Sequence, residues 1–221
     1  MDKTNKKLIF IHTPKCGGTF VKSILSHLKI YGETHKKVIK EKKHVRAIKN
    51  NEEISFTVIR NPVERFESLL NYRLTEKRIR NDFPKNLRHV FKNKKISLNK
   101  IVSQMTKRQI LGFKPYNTLT YWTKNVDIII TIDQLPKLLE HFGYNIDVNS
   151  FKKKNVSLKE RGTFNKQIIN RLKKIYKKDM ILYNKIINSK NNIFNTANTA
   201  NTANTANTAN TANTANTANT G

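Results

Sequence analysis

The chain has 221 residues, 37% of them hydrophobic, and 43 Lys and Arg against 15 Asp and Glu give a formal net charge of +28. The single cysteine, Cys16, excludes an intrachain disulfide, and no run reaches the roughly 20 apolar residues of a membrane span. A field this positive favours anionic partners, although Lys, Asn and Ile are abundant throughout and composition alone is an equal source of the charge.

The first element in chain order is KLIFIH (7–12), a short, wholly apolar run of the kind that forms a strand buried on both faces. The basic start before it leads into an apolar stretch too short for a signal peptide, so the expected placement is soluble and cytoplasmic. The strand runs into TPKCGGT (13–19) and then into a helix-like pattern. A helix starting near Gly18 would present backbone N–H groups and a positive dipole end to an anion. Gly17 and Gly18 permit close backbone approach, Lys15 adds a point charge and Thr19 a hydroxyl. This set suits a nucleotide 5′-phosphate. It lacks the spacing of GxxxxGK[ST] and an evident magnesium-binding Asp, which disfavours ATP or GTP hydrolysis. An ordinary glycine turn between strand and helix is the bland alternative.

The second strand, ISFTVI (54–59), leads into RNPVERFESLLNYRL. Asn61 suits the N-cap of a helix, Pro62 its first position and Glu64 a capping box. Arg60 ends the strand with a forked donor for phosphate, and Ser68 offers a hydroxyl two turns into the helix. Arg65 is expected to pair with a carboxylate on its own helix, with contact to a phosphate as the lesser alternative. Residues 76–125 are basic and broken by Pro84, Gly112 and Pro115, with a helix expected near 98–108. DIIITI (127–132) is the third strand, and QLPKLLEHFGY the next helix, closed by Gly143. Residues 164–187 read as one long amphipathic helix with Phe164, Ile168, Leu172, Ile175, Tyr176, Ile186 and Ile187 on one face. From Asn195 the chain is an Asn-Thr-Ala repeat without charge or large apolar groups, expected to be disordered. The division is therefore a domain at 1–194 and a low-complexity tail at 195–221. Strands alternating with helices predict an α/β fold with ligands at the carboxyl ends of the strands.

Two motifs, FIHTPKCGGTF and FTVIRNPVERFESLLNY, resemble those of the sulfotransferases that use 3′-phosphoadenosine 5′-phosphosulfate (PAPS), in the carbohydrate-type branch. VDIIITIDQL and NVSLKERGTFNKQIINRLKKIYKKDMILY are similar to later parts of that family, so the resemblance spans residues 7–187. It implies a P-loop-like three-layer sandwich with a central, mostly parallel sheet flanked by helices. It implies transfer of a sulfuryl group from PAPS to an acceptor hydroxyl, without a metal. Lys15, Cys16, Gly17, Gly18 and Thr19 then hold the phosphosulfate end, with Lys15 at the bond that breaks. Arg60 and Ser68 hold the 3′-phosphate, and Arg161 is a further candidate beside Asn155 and Ser157.

The acceptor hydroxyl needs a base. His44, in a His-x-x-Ala pattern with Ala47, is the leading candidate, against a surface histidine in a lysine-rich segment. Glu33, His35 and Glu41 are weaker alternatives, and His12 reads as a support for the loop, with an approach to the donor as its alternative role. Cys16 stands where relatives often carry Thr, and a nucleophilic thiol there is conceivable although direct transfer does not need one. Asp133 stands where relatives often carry Glu, and Gln134 follows it without an evident role. The expected acceptor is a carbohydrate, and the positive charge suits an anionic glycan. A catalytically inactive relative that binds PAPS or adenosine 3′,5′-bisphosphate (PAP) is the alternative. A nucleic-acid-binding protein comes third, since no helix-turn-helix, zinc-finger or RNA-binding signature is present.

Overall fold

The structure, a computed structural model, describes residues 7–28, 53–75, 87, 96–112, 118–151 and 162–189. Three strands form a parallel sheet in the order β1 (Lys7–Phe10), β2 (Glu53–Ile59) and β3 (Ile128–Thr131). Leu8 stands opposite Ile54, Phe56 opposite Ile128, and Ile59 opposite Thr131. The reason these segments pair is visible in their burial. All four residues of β3 are buried, as are the last five of β2, so side chains on both faces of the sheet leave water. Each large aliphatic or aromatic side chain so buried stabilises the fold by about 1.5–3 kcal/mol.

Alternate residues enter different clusters, as the two-residue period of a strand requires. Leu8, Phe10, Phe56, Val58, Ile128 and Ile130 pack with α1 (Gly18–His27), and this cluster continues into the helix Leu135–His141. Ile9, Ile11, Ile59 and Ile129 point the other way, toward Trp122, Leu119 and Ile186. A third cluster joins α2 (Pro62–Thr75) to α3 (Leu98–Ser103), α4 (Lys107–Leu111) and a helix beginning at Lys166. The fold is thus a small α/β domain whose parallel sheet is flanked by helices.

Several boundaries differ from the sequence expectation for identifiable reasons. The helix expected near 98–108 is two helices, because Thr106 starts a second one through a reciprocal capping box with Gln109. The guanidinium of Arg171 donates to the carbonyls of Val102 (2.6 Å) and Met105, closing the end of α3. The short α5 (Leu119–Trp122) precedes β3, and α6 (Leu135–His141) follows it. Gly143, at φ +78°, closes α6 as expected. Its N–H donates to Glu140 O and that of Tyr144 to Leu139 O, both at 2.9 Å, which is the paired left-handed helix ending.

The expected long helix at 164–187 is divided into α7 (Lys166–Ile175) and α8 (Lys177–Asn188) at Tyr176. The first half serves one cluster, and the second, which still meets that cluster at Met180, reaches a different one at Ile186. Ile168 and Leu172 pack with α2 and α3, whereas Ile186 packs under the sheet with Cys16, Ile59 and Ile129. Tyr176 turns the corner with its ring 5.9 Å from that of Phe66. Burial pushes its phenol pKa far above the ordinary value.

Two polar anchors fix the elements that burial alone would leave free to slide. The hydroxyl of Ser55 donates to Asp127 Oδ2 at 2.7 Å and accepts from the Asp127 N–H at 3.0 Å, tying β2 to the start of β3. Asp179 on α8 is 1% exposed and accepts from the N–H groups of Leu119 (2.6 Å) and Thr120 (3.1 Å), and from the Thr120 hydroxyl. A carboxylate from the last helix thus caps α5. Asp179→Ala strands these donors, and urea unfolding at neutral pH is expected to show a loss of about 3 kcal/mol. Asp179→Asn keeps one acceptor oxygen and is expected to lose about half as much.

Candidate anion site at the carboxyl ends of the strands

The chain leaves β1 through Ile11, His12 and Thr13 and turns toward β2. Thr13 is buried, with its hydroxyl 2.8 Å from that of Thr57. Thr57 spends its only hydroxyl proton on the Ile11 carbonyl at 2.7 Å, so Thr13 is the donor of the pair. The start of the loop is thereby fixed to the middle of the sheet.

Pro14 is held from the other side. Its carbonyl accepts from Arg65 Nε at 2.9 Å, and Arg65 is buried on α2. Arg65 thus has a partner outside its own helix, which the sequence alone does not predict. The positions three and four residues away are Asn61, Pro62, Ser68 and Leu69, none of them acidic, so the helix face offers no carboxylate. The guanidinium serves the loop instead.

The next four residues take an unusual path. Lys15, at φ +64°, and Gly17, at φ +84°, both have left-handed backbone, with Cys16 between them outside that region. A left-handed conformation costs a non-glycine residue about 1–2 kcal/mol, so the surroundings must impose it on Lys15. Where left-handed residues alternate with right-handed ones, successive backbone N–H groups turn to one side and form an anion-binding concavity, and left-handed Lys15 and Gly17 give the loop two members of such a pattern. Gly17 is the N-cap of α1 and contributes no side-chain cap, and no acidic residue lies in the first turn. Gly18 begins the helix against His12. A Cβ at position 18 would lie 2.0 Å from imidazole atoms of His12, so only glycine fits. His12 is therefore a loop support, as expected, with its ring also stacked on Phe10 at 5.9 Å. Thr19 is exposed in the first turn.

Cys16 faces inward. Its thiol is 3% exposed and packs among Ile59, Leu119, Ile129 and Ile186. Burial pushes its pKa up, although the charges of Arg65 and Arg60 and hydrogen bonds from the Arg60 N–H and the Arg65 side chain offset part of the effect. A buried thiol holding its proton is a poor nucleophile, so the nucleophilic reading does not fit its surroundings.

Lys15 runs along α2. Its Nζ stands 4.3 Å above the centre of the Tyr72 ring, and its side chain lines a shallow groove with Pro62, Arg65, Phe66, Leu69 and Tyr176. Burial, then the nearby charge of Arg60, lower its ammonium pKa from the ordinary value. Arg60 itself is exposed just past β2, its Nε 3.0 Å from Glu64 Oε2. Glu64 thus pairs with Arg60 rather than completing a capping box, while Asn61 Oδ1 alone caps the helix through the Val63 N–H at 3.0 Å. Ser68 is half-buried on α2.

Two further groups, Tyr72 and Tyr183, carry no expectation from the sequence, and Gln134 gains the role it lacked there. Tyr72 follows Ser68 by one turn and Arg65 by two, a spacing legible in NPVERFESLLNY had the helix stripe been followed past Ser68. Tyr183 on α8 has its phenol pKa raised by burial, then by Glu64 and Asp133, with Arg60 opposing. Gln134 accepts from Thr131 N–H at 2.8 Å and donates to Ile186 O at 3.5 Å, which fastens β3 to α8 and gives this residue its role. No distant signal in the sequence marks Tyr183 or Gln134.

Lys15, Cys16, Gly17, Gly18 and Thr19 thus follow β1, and Arg60 follows the adjacent strand β2, while Ser68 lies two turns further along α2. His44 and Arg161 lie outside the described residues, as do Glu33, His35, Glu41, Asn155 and Ser157. Among the described residues no group of His, Cys, Asp and Glu is placed to hold a metal, and no helix is long and apolar enough to cross a membrane. No family model matches the chain, and neither a curated protein nor a solved structure does.

Gly18→Ala is expected to destabilise the fold by about 1–3 kcal/mol through overpacking against His12. Adding His12→Ala to it should recover most of that loss in the same urea titration, since Ala is otherwise the better helix former. A thiol reagent at pH 8 should leave native Cys16 unmodified and label it only on unfolding. Because the folded thiol keeps its proton beyond the unfolded value of about 8.5, this group's contribution to stability is complete below that pH and declines as pH rises through it.

Proposed function

We propose that this chain is a PAPS-dependent sulfotransferase that moves a sulfuryl group to a hydroxyl of a carbohydrate acceptor. We include in the proposal the P-loop-like three-layer architecture of that family. The observation that carries the reading is the joining of the two motifs. The glycine loop and Arg60 end adjacent parallel strands, and Arg65 and Cys16 hold them together at Pro14 and at the Arg60 backbone. A ligand with anionic groups at two points fits such a pair better than a single phosphate does.

The roles follow from charge and position. The loop N–H groups and Thr19 hold the phosphosulfate. Lys15 offsets the charge that gathers on the departing phosphate, an effect strengthened by its partial burial. Arg60 and Ser68 hold the 3′-phosphate, and Arg60 exchanges Glu64 for it. That exchange costs little, because an exposed ion pair of this kind contributes weakly. His44 takes the acceptor proton and Arg161 adds a contact to the 3′-phosphate. An anionic glycan suits the formal charge of +28.

Incubation with labelled PAPS and a panel of glycans tests the reading. Transfer of label with formation of PAP is the expected result. Lys15→Met should reduce the rate about 100-fold, and Arg60→Ala should weaken PAP binding at least about tenfold. A melting temperature raised by PAP, with no transfer to any acceptor, would assign nucleotide binding without catalysis. A melting temperature that PAP leaves unchanged would overturn the proposal.

A further inference from the structure

We propose that Tyr72 is a positioning residue: its ring holds the Lys15 ammonium at the mouth of the anion loop. This rests on the reading of the loop as an anion site, although not on the identity of the nucleotide. Nζ lies 4.3 Å from the ring centre, within the range of a cation over an aromatic face. The contact has a reason to exist. Lys15 starts from left-handed backbone, its stem lies along α2, and Arg60 repels its charge. A lysine so placed would otherwise turn toward water. The negative face of the ring offsets both the repulsion and the loss of hydration, and it engages the ammonium from one side. The remaining N–H bonds can still reach an anion.

The stripe on α2 supports this assignment. Arg65, Ser68 and Tyr72 succeed one another at steps of three and four residues and so share a face. Arg65 holds the loop at Pro14, and Tyr72 holds the residue that follows it. One helix face thereby fixes both the backbone of the loop and its charge. Without the ring, the four-carbon stem of Lys15 regains its rotamers and must be ordered again each time an anion binds.

The test is a double-mutant cycle on the full chain, with inorganic pyrophosphate as the probe, measured by calorimetry at physiological ionic strength. Tyr72→Leu should weaken pyrophosphate binding about fivefold. Tyr72→Phe, which keeps the aromatic face, should bind within about twofold of the wild type. In a Lys15→Met background, Tyr72→Leu should add nothing. An equal loss with and without Lys15, tighter binding by Tyr72→Leu, or no pyrophosphate binding by the wild type overturns the proposal. Melting temperatures identify a variant that fails to fold, and Tyr72→Phe then still decides: a loss as large as that of Lys15→Met sinks the idea. If PAP binds no better than pyrophosphate while the coupling persists, the nucleotide reading fails and the role of Tyr72 stands.

Discussion

The hydrogen bond from Arg65 to the Pro14 carbonyl is the contact on which the site depends. It joins the loop after β1 to the helix after β2, across a separation of 51 residues in sequence, and it does so inside the protein. A buried guanidinium is costly unless its donors find acceptors, and the Pro14 carbonyl supplies one for Nε. Thr13 and Thr57 repeat the same connection one step deeper in the sheet. With Thr13 and Pro14 both fixed, the chain has only a few residues in which to reach α1. Left-handed backbone at Lys15 and Gly17 is how it does so. The strain at Lys15 is thus a consequence of anchors on either side of it.

The C-terminal helices complete that frame from below. Ile186 covers Cys16, Ile59 and Ile129, and Gln134 fastens β3 to the same helix. Asp179 then brings α5 into place, and Leu119 of α5 closes the cluster around the thiol. Cys16 is therefore a packing residue at the point where loop, sheet and α8 meet. Any part it has in holding an anion comes through its backbone, because the side chain is committed to the core.

The strands were legible in the sequence because burial on both faces writes an uninterrupted apolar run. The starts of α1 and α2 were legible because Gly17, Gly18, Asn61 and Pro62 carry strong local preferences. What was not legible depends on partners far along the chain. The break at Tyr176 follows from two apolar clusters lying in different directions, and a helical period shows only that a face is apolar. The Pro14 contact of Arg65 was not legible because an arginine on an acidic-looking helix suggests a local pair. Glu64 and Glu67 lie one and two residues from it, spacings that put them on other faces of the helix. Glu64 meets Arg60, and Glu67 accepts from the Phe164 N–H. Of the site, the loop residues and Arg60 follow adjacent strands and Ser68 lies on α2, whereas His44 and Arg161 lie outside the described residues.

The two principal cations of the site are held in opposite ways, and the difference has a consequence for order of binding. Lys15 is partly buried, close to another positive charge, and steadied by an aromatic face. Arg60 is exposed and steadied by a carboxylate. An aromatic face leaves the charge of a lysine uncancelled, so Lys15 and Arg60 still repel and the loop retains a positive potential. A carboxylate cancels charge, so Arg60 becomes fully available only when Glu64 lets go. On the proposed reading, an arriving dianion would be attracted first to the loop, where no carboxylate among the described residues pairs with Lys15. Arg60 would follow by exchanging one anionic partner for another. The phosphosulfate end would thus seat before the 3′-phosphate is gripped. The reactive bond would then be fixed by the rigid part of the site and the nucleotide retained by the adaptable part.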